Sequence, residues 1–446
     1  MRSRIAGREA IVADRNFDIV ILGATGFTGR QTVRALRRQR VALRWAVAGR
    51  NAQALQAVVA EDRARRGVAK PGVLLADTTD AESLATLASQ ARVLVNLAGP
   101  YAVTGGAVVQ ACIEHGTHYL DLTGETFWVR ELVARHHDAA RAAAVRIIPS
   151  AGYEVLPFDL ATLWIADAMR RRLATPCREV RIVVTFTGRR LKSLADAASG
   201  GTVASLRMLL ERDRTDSVRN VACLLPPERA ADAAAVARRS AIDWLPRHDA
   251  ALGCVVAPTL PAPFVNPPMV LRSWALIDDA TLFAPDFRYH EGTNMASLVG
   301  APRFMPPAAT LPLQFAAAAS LSAPLAGLGA TLSGPLQFQR EALRKLIERF
   351  APKPGEGPSE AALDEAGYAF DVFATGAGGE TLRGRVEADG HPGYRSTPEM
   401  LIAAAAGLAA GTLGRTPHVG VVTPASGLGL EAVAALEAAG VRFSLA

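Results

Sequence analysis

The run VILGATGFTG, residues 20–29, constrains this chain more than any other stretch. Three glycines recur at every third position, Gly23, Gly26 and Gly29, directly after an apolar run and directly before a helical pattern. Strand, glycine turn and helix in that order are the context of a dinucleotide-binding turn. Gly23 permits the tight turn, Gly26 lets the backbone approach a pyrophosphate, and Gly29 lets the helix pack close to the strand. The amides at the helix start then face negative charge. Thr25 and Thr28 add hydroxyl donors, and Phe27 belongs to the same turn. The spacing is G-x-x-G-x-x-G, which a turn without ligand also tolerates, so the residues C-terminal to it have to decide.

Those residues alternate regularly. Phe17–Leu22, Arg44–Ala48, Val73–Leu75, Arg92–Leu97, His118–Leu120 and Val145–Ile148 read as strands, with helical spacing between them. This predicts an open, mostly parallel Rossmann-type sheet with helices on both faces. Beyond residue 150 the rhythm breaks. A helix is expected over Leu156–Arg171, a strand in REVRIVVTFTG and a helix over 196–213. A hairpin is expected over 366–388 around Gly376, Gly378 and Gly379, with helices over 396–411 and Leu428–Gly440. With 446 residues, half of them hydrophobic, the chain can fill two cores. The expected fold is therefore α/β, an N-terminal Rossmann-type parallel sheet with a second α+β domain. The boundaries read as an extension over 1–16 and a dinucleotide-binding domain over 17–150. An α+β substrate or dimerisation domain over 151–390 and C-terminal helices over 391–446 complete the chain.

The end of the second strand selects the cofactor. WAVAGRN, residues 45–51, has Arg50 and Asn51 where an acidic residue usually holds the ribose hydroxyls of the unphosphorylated cofactor. An arginine fork suits a 2′-phosphate, which favours NADP over NAD. Asp77 follows the third strand, beside the expected adenine position. Gly99, Pro100 and Tyr101 follow the fourth, and that loop is expected to run towards the nicotinamide.

The expected chemistry sits in the later loops of the same sheet edge. YLDLTGE places Asp121, Thr123 and Glu125 after the fifth strand, and PSAGYEVLPFD places Tyr153, Glu154 and Asp159 after the sixth. Glu125 or Tyr153 could pass a proton to substrate. Thr123, Tyr153 and Asn96 could donate to a developing oxyanion. The carboxylates could equally cap helices, and Asn96 could equally satisfy backbone at its strand end. None of the six tyrosines has a lysine four residues later, so a Tyr-x-x-x-Lys pair is absent. No H-E-x-x-H, cysteine cluster or G-x-S-x-G elbow appears, and no metal is expected.

The charge balance narrows the partners. The net charge is +7, and residues 1–70 carry 15 Lys+Arg against 5 Asp+Glu. Without a zinc-finger or basic-heptad pattern, this excess suits a phosphorylated cofactor better than nucleic acid. Four scattered cysteines and a charged N-terminal segment suit a cytoplasmic chain. Residues 308–338 carry no charge at all, but Pro312, Pro324 and Pro335 interrupt them. Peripheral membrane contact, a buried helical pair, a homodimer face and the wall of an apolar substrate tunnel all remain open for this stretch.

GATGFTG, WAVAGRN, VNLAGPY, GTHYLDLTGE and PSAGYEVLPFDL together resemble the saccharopine dehydrogenase-like oxidoreductases. SGGT at 199–202, PDFRY at 285–289, PKPGEGPSE at 352–360 and HPGYRSTPEM at 391–400 resemble the trans-acting enoyl reductase branch of mycolipid synthesis. The resemblance implies C-terminal helices that pack back on the first domain. It also implies NADP-linked reduction of a lipid-related enoyl group, in trans with a polyketide synthase lacking its own reductase. Tyr153 and Glu154 stand where the family more often has a Cys-Gly-Phe-Asp-Ser-type run, and His391 stands where Asp is common. A saccharopine-type imine or amino-acid substrate, for which Arg189, Arg190, Arg272 and Arg288 are candidate carboxylate partners, is the alternative. A non-catalytic NADP-binding scaffold or sensor is a further one.

Overall fold

The computed structural model describes residues 15–38, 43–60, 71–188, 220–259, 263–299, 307–333 and 356–446. The expected helix over 196–213, the SGGT motif, Arg189, Arg190 and most of the N-terminal extension lie outside the described residues.

The first sheet holds β1 (Phe17–Leu22), β2 (Trp45–Gly49), β3 (Gly72–Leu75), β4 (Ala91–Asn96), β5 (His118–Asp121), β6 (Arg146–Ile148) and β13 (Gly420–Val421). Their order is β13-β6-β5-β4-β1-β2-β3, and every pairing is parallel. Apart from β13, this is the doubly wound Rossmann order. The central strands are nearly continuous apolar runs because helices cover both faces. Ile19, Ile21, Val93 and Val95 point to one side of the sheet, and Val20, Leu22 and Leu94 to the other.

The second sheet is mixed. It runs β14-β12-β11-β7-β10-β9-β8, with β7 (Cys177–Gly188), β8 (Arg247–Asp249), β9 (Cys254–Ala257), β10 (Phe283–Asn294), β11 (Ala366–Gly376), β12 (Thr381–Asp389) and β14 (Val441–Leu445). The expected hairpin is the β11–β12 pair, in register from Gly367 opposite Asp389 to Thr375 opposite Thr381. The inner face of this sheet, with Ile182, Val184, Tyr289, Tyr368 and Phe370, shares one core with the Ile19 side of the first sheet. The helices Leu156–Leu173 and Thr397–Ala409 contribute to that core. The second of them also packs on the helix Phe27–Arg38 that follows the glycine turn.

The sequence reading has prolines interrupting the uncharged stretch. The structure instead forms a helix over Leu311–Ser333 that continues past Pro324. Pro312 sits in the first turn, where a missing N–H costs nothing, and the alanines at 316–319 favour helix. Gln314 and Ala318 are buried on the β9 side, whereas Leu313 and Phe315 are exposed. No helix among the described residues is long and apolar enough to cross a membrane.

Candidate active site

The carboxyl edge of the first sheet collects every loop that the sequence singles out. At the glycine turn, Gly23 has φ +82°, and a Cβ there would lie 2.7 Å from the Leu97 carbonyl carbon. A Cβ on Gly29 would overlap the Gly23 carbonyl oxygen. The protein's own packing therefore demands these two glycines. Gly26, Gly49 and Gly99 are different: each has an ordinary φ, and the nearest atoms to an added Cβ are 3.4, 3.7 and 3.5 Å away. They follow or end β1, β2 and β4. Internal packing gives no reason for glycine at these three positions, whereas a dinucleotide laid along the edge requires such close approach to backbone. The residues present fit that cofactor.

The neighbours of the turn are engaged in several ways. The Thr25 carbonyl accepts a hydrogen bond from Arg30 at 2.6 Å, and the Thr28 carbonyl accepts one from Thr32 at 2.9 Å. Both threonine side chains are partly exposed. Phe27 packs edge-on against Tyr394 with centroids 5.4 Å apart, so the HPGYRST segment rests on the turn. Arg50 is exposed at the end of β2. Asn51 Oδ1 accepts from the Ala54 N–H at 3.0 Å and caps the helix Ala52–Ala60. Asp77 accepts from both the backbone N–H and the hydroxyl of Thr79, which hold its carboxyl below the usual range, with Arg50 adding to the effect.

Asn96, Tyr119 and Asp121 tie neighbouring strands together. The Asn96 amide donates to the Tyr119 hydroxyl at 3.1 Å, and that hydroxyl donates to Asp121 Oδ2 at 2.8 Å. Asp121 Oδ1 accepts from the N–H groups of Thr123 and Ser150. Burial pushes the Asp121 carboxyl up to about 6 against these hydrogen bonds. The remaining oxygen of Asn96 accepts from the Ala98 N–H, so both ends of this amide are held within the protein. The Thr123 hydroxyl accepts from the Glu125 N–H at 3.1 Å. Glu125 in turn accepts from the N–H groups of Tyr101 and Ala102, at 3.2 and 2.9 Å, across the start of the helix Tyr101–Glu114. The peptide between Gly99 and Pro100 leading into this helix is cis. Tyr101 itself is buried at this edge.

Tyr153 and Glu154 are placed differently. The Tyr153 ring packs edge-on against Phe158 and Tyr368 and tilted against Phe370, and its backbone N–H donates to Thr397 Oγ1. Its hydroxyl is buried and has no partner among the described residues. The Glu154 carboxyl lies against Gly124, where a Cβ would stand 2.9 Å from Oε2. Burial alone pushes this carboxyl up to about 7. Tyr153 thus sits where the loop after β6 meets the second sheet, and Glu154 lies beside the loop after β5.

Sequence reasoning missed three further polar residues at this junction: Thr259 after β9, Asn266 at the start of the helix Asn266–Ile277, and Glu291 on β10. Glu291 Oε2 accepts from the Tyr289 hydroxyl at 2.7 Å and from the Asn266 amide at 3.0 Å. The signal was available, because Tyr289 and Glu291 share the inward face of a strand, where a carboxyl is out of place. Among the described residues no group of three or more His, Cys, Asp or Glu could hold a metal.

A doubly wound sheet with a glycine-lined carboxyl edge, facing proton-bearing side chains of a second sheet, defines a dinucleotide-binding oxidoreductase. Residues 19–148 match the saccharopine dehydrogenase NADP-binding domain. A Mycobacterium tuberculosis protein provisionally named a trans-acting enoyl reductase is 32% identical over 438 residues, covering 96% of this chain and 97% of the relative. The trans-acting enoyl reductase of Mycobacterium bovis is 30% identical over 437 residues, with the same coverage. Saccharopine dehydrogenase (L-Glu forming) of Saccharomyces cerevisiae shares the fold, with TM-score 0.50 and 14% identity over 96% of this chain and 99% of that one. The chain belongs to the saccharopine dehydrogenase-like oxidoreductase family, beside the trans-acting enoyl reductases, and its cofactor is NADP.

Proposed function

We propose that the chain reduces the carbon–carbon double bond of an enoyl group on a lipid- or polyketide-like acyl substrate, in trans with a polyketide synthase that lacks this step. The observation that carries this reading is the charge of the junction. Glu154, Asp159 and Glu291 are each pushed up to about 7, chiefly by burial, and no arginine or lysine of the described residues is among the causes that act on them. A saccharopine-type substrate brings several carboxylates and needs cations. Arg272 is buried and donates to the carbonyls of Leu224 and Val421, both at 2.8 Å. Arg288 pairs with Glu179 at 2.7 Å. An acyl chain needs no cation. The names of full-length relatives support the same reading.

Bound NADPH supplies a hydride. The chain's own part is to hold a proton for the α-carbon and to offer hydrogen-bond donors to the carbonyl oxygen. Glu154 retains a proton near neutral pH, and Tyr153 presents an uncommitted hydroxyl. The test is NADPH absorbance with purified protein, offered trans-2-enoyl thioesters or a glutamate–aldehyde imine. Oxidation with the thioesters supports the reading, and oxidation with the imine alone overturns it.

A further inference from the structure

Two buried polar atoms at the junction, Tyr153 Oη and Asn266 Oδ1, lack partners among the described residues, and beside them Thr259 Oγ1 and the Glu291 carboxyl meet with Glu291 Oε1 otherwise uncommitted. Tyr153, Thr259 and Asn266 are 5%, 2% and 3% exposed, so water does not satisfy them freely. Leaving such groups unpaired is unfavourable. Their concentration in one place is the mark of a site built for a ligand. They come from separate elements, and the Tyr153 phenol lies within electrostatic reach of both Glu291 and Glu154.

The hydrogen bonds fix what this corner offers. Glu291 Oε2 already accepts two, from Tyr289 and Asn266. The proton of the neutral acid therefore resides on Oε1. Thr259 hydrogen-bonds this carboxyl, which favours its charged form against the larger effect of burial; with the acid neutral, the Thr259 hydroxyl accepts from Oε1 and its own proton is free to donate. Tyr153 adds a second hydroxyl donor. Asn266, its amide nitrogen committed to Glu291, leaves a carbonyl oxygen.

We propose that Tyr153, Thr259 and Glu291 form the polar end of the substrate site, with Asn266 holding the Glu291 carboxyl, and that their hydroxyl protons receive the uncharged carbonyl oxygen of an acyl thioester. The proposal rests on the enoyl reading above, and deepens it by naming the group that is recognised. A carboxylate would meet Glu291 and Glu154, and no arginine or lysine of the described residues acts on either to offset them. A carbonyl oxygen accepts from neutral donors without that penalty.

The experiment is calorimetric titration of the full chain, saturated with NADP, with the unreactive decanoyl-N-acetylcysteamine thioester. Decanoate and decylamine are titrated in parallel. The thioester is expected to bind more tightly than either. Tyr153→Phe and Thr259→Val are each expected to weaken it about tenfold, one hydrogen bond's worth, while NADPH affinity changes less than about twofold. Thioester binding is expected to fall as pH rises through about 7, where Glu291 ionises, and Glu291→Gln is expected to abolish that fall. Tighter binding of decanoate or decylamine, or variants that bind the thioester as wild type does, would overturn the proposal. If the thioester binds with this dependence yet the trans-2-decenoyl thioester consumes no NADPH, the recognition site stands and the reductase reading falls.

Discussion

Asp159 Oδ2 accepts a hydrogen bond from the Ala425 N–H at 2.8 Å, joining positions 266 residues apart. Asp159 begins the helix that leaves the first sheet for the second, and Ala425 lies in the short helix Pro424–Leu428 just after β13. The acid is 1% exposed, and burial pushes its carboxyl from 3.8 up to about 7. Its folded form thus holds a proton that the unfolded form releases. The stability it contributes is full below about pH 4 and is lost as pH rises through about 7, on the order of 4 kcal/mol. Asp159→Asn keeps an acceptor for Ala425 and removes the titration. Urea midpoints at pH 5 and pH 8 should fall further apart in wild type than in this variant. The other buried acids slope the same way in both proteins, so the difference between them isolates Asp159.

Gly26 and Gly29 should separate binding from folding. Gly29→Ala forces a methyl into the Gly23 carbonyl and should destabilise the fold by about 1–3 kcal/mol. Gly26→Ala has space, and should leave the melting temperature unchanged or slightly raised. It should nevertheless weaken NADPH by at least about tenfold, because the methyl occupies the line of approach to the pyrophosphate. Melting curves with and without NADPH measure both effects.

Arg50→Ala should weaken NADPH by about tenfold or more and NADH by less than about twofold, since only the former carries the 2′-phosphate that a guanidinium fork suits. Fluorescence titrations of both cofactors at matched ionic strength decide this. Equal losses for the two would remove Arg50 from 2′-phosphate recognition.

On the proposed reading Glu154 delivers the proton and must hold it first. Turnover of an enoyl thioester should therefore decline as pH rises through about 7. Glu154→Gln should lower kcat by about 100-fold or more and flatten the remaining profile, with NADPH affinity retained. A variant that keeps the wild-type decline would assign the titration to another group.

The first six strands were legible because each is a short apolar run set between helical patterns and turn residues. The glycine turn was legible because a dinucleotide imposes its demand on neighbours in sequence. β13 was not, since a two-residue strand has no period, and β14 follows a glycine with too few residues to alternate clearly. The expected helix Leu428–Gly440 divides at Gly429, whose φ of +85° ends one helix before Ala432–Ala438 begins. The Glu125 cap was one of two open readings, and its helix starts 24 residues earlier in the chain, so spacing alone could not choose it. Thr259, Asn266 and Glu291 meet Tyr153 only through the packing of the two sheets, and no local pattern connects them.

β13 and β14 both come from the stretch 420–445, one completing the edge of the first sheet and the other the edge of the second. During synthesis, the nucleotide-binding strands emerge early, yet both sheets wait for the same late stretch to cover an edge. A ribosome that stops short of it leaves two open borders at once. Closure of the two sheets is thereby a single late event, and a copy lacking residues 420–445 carries two unpaired strand edges.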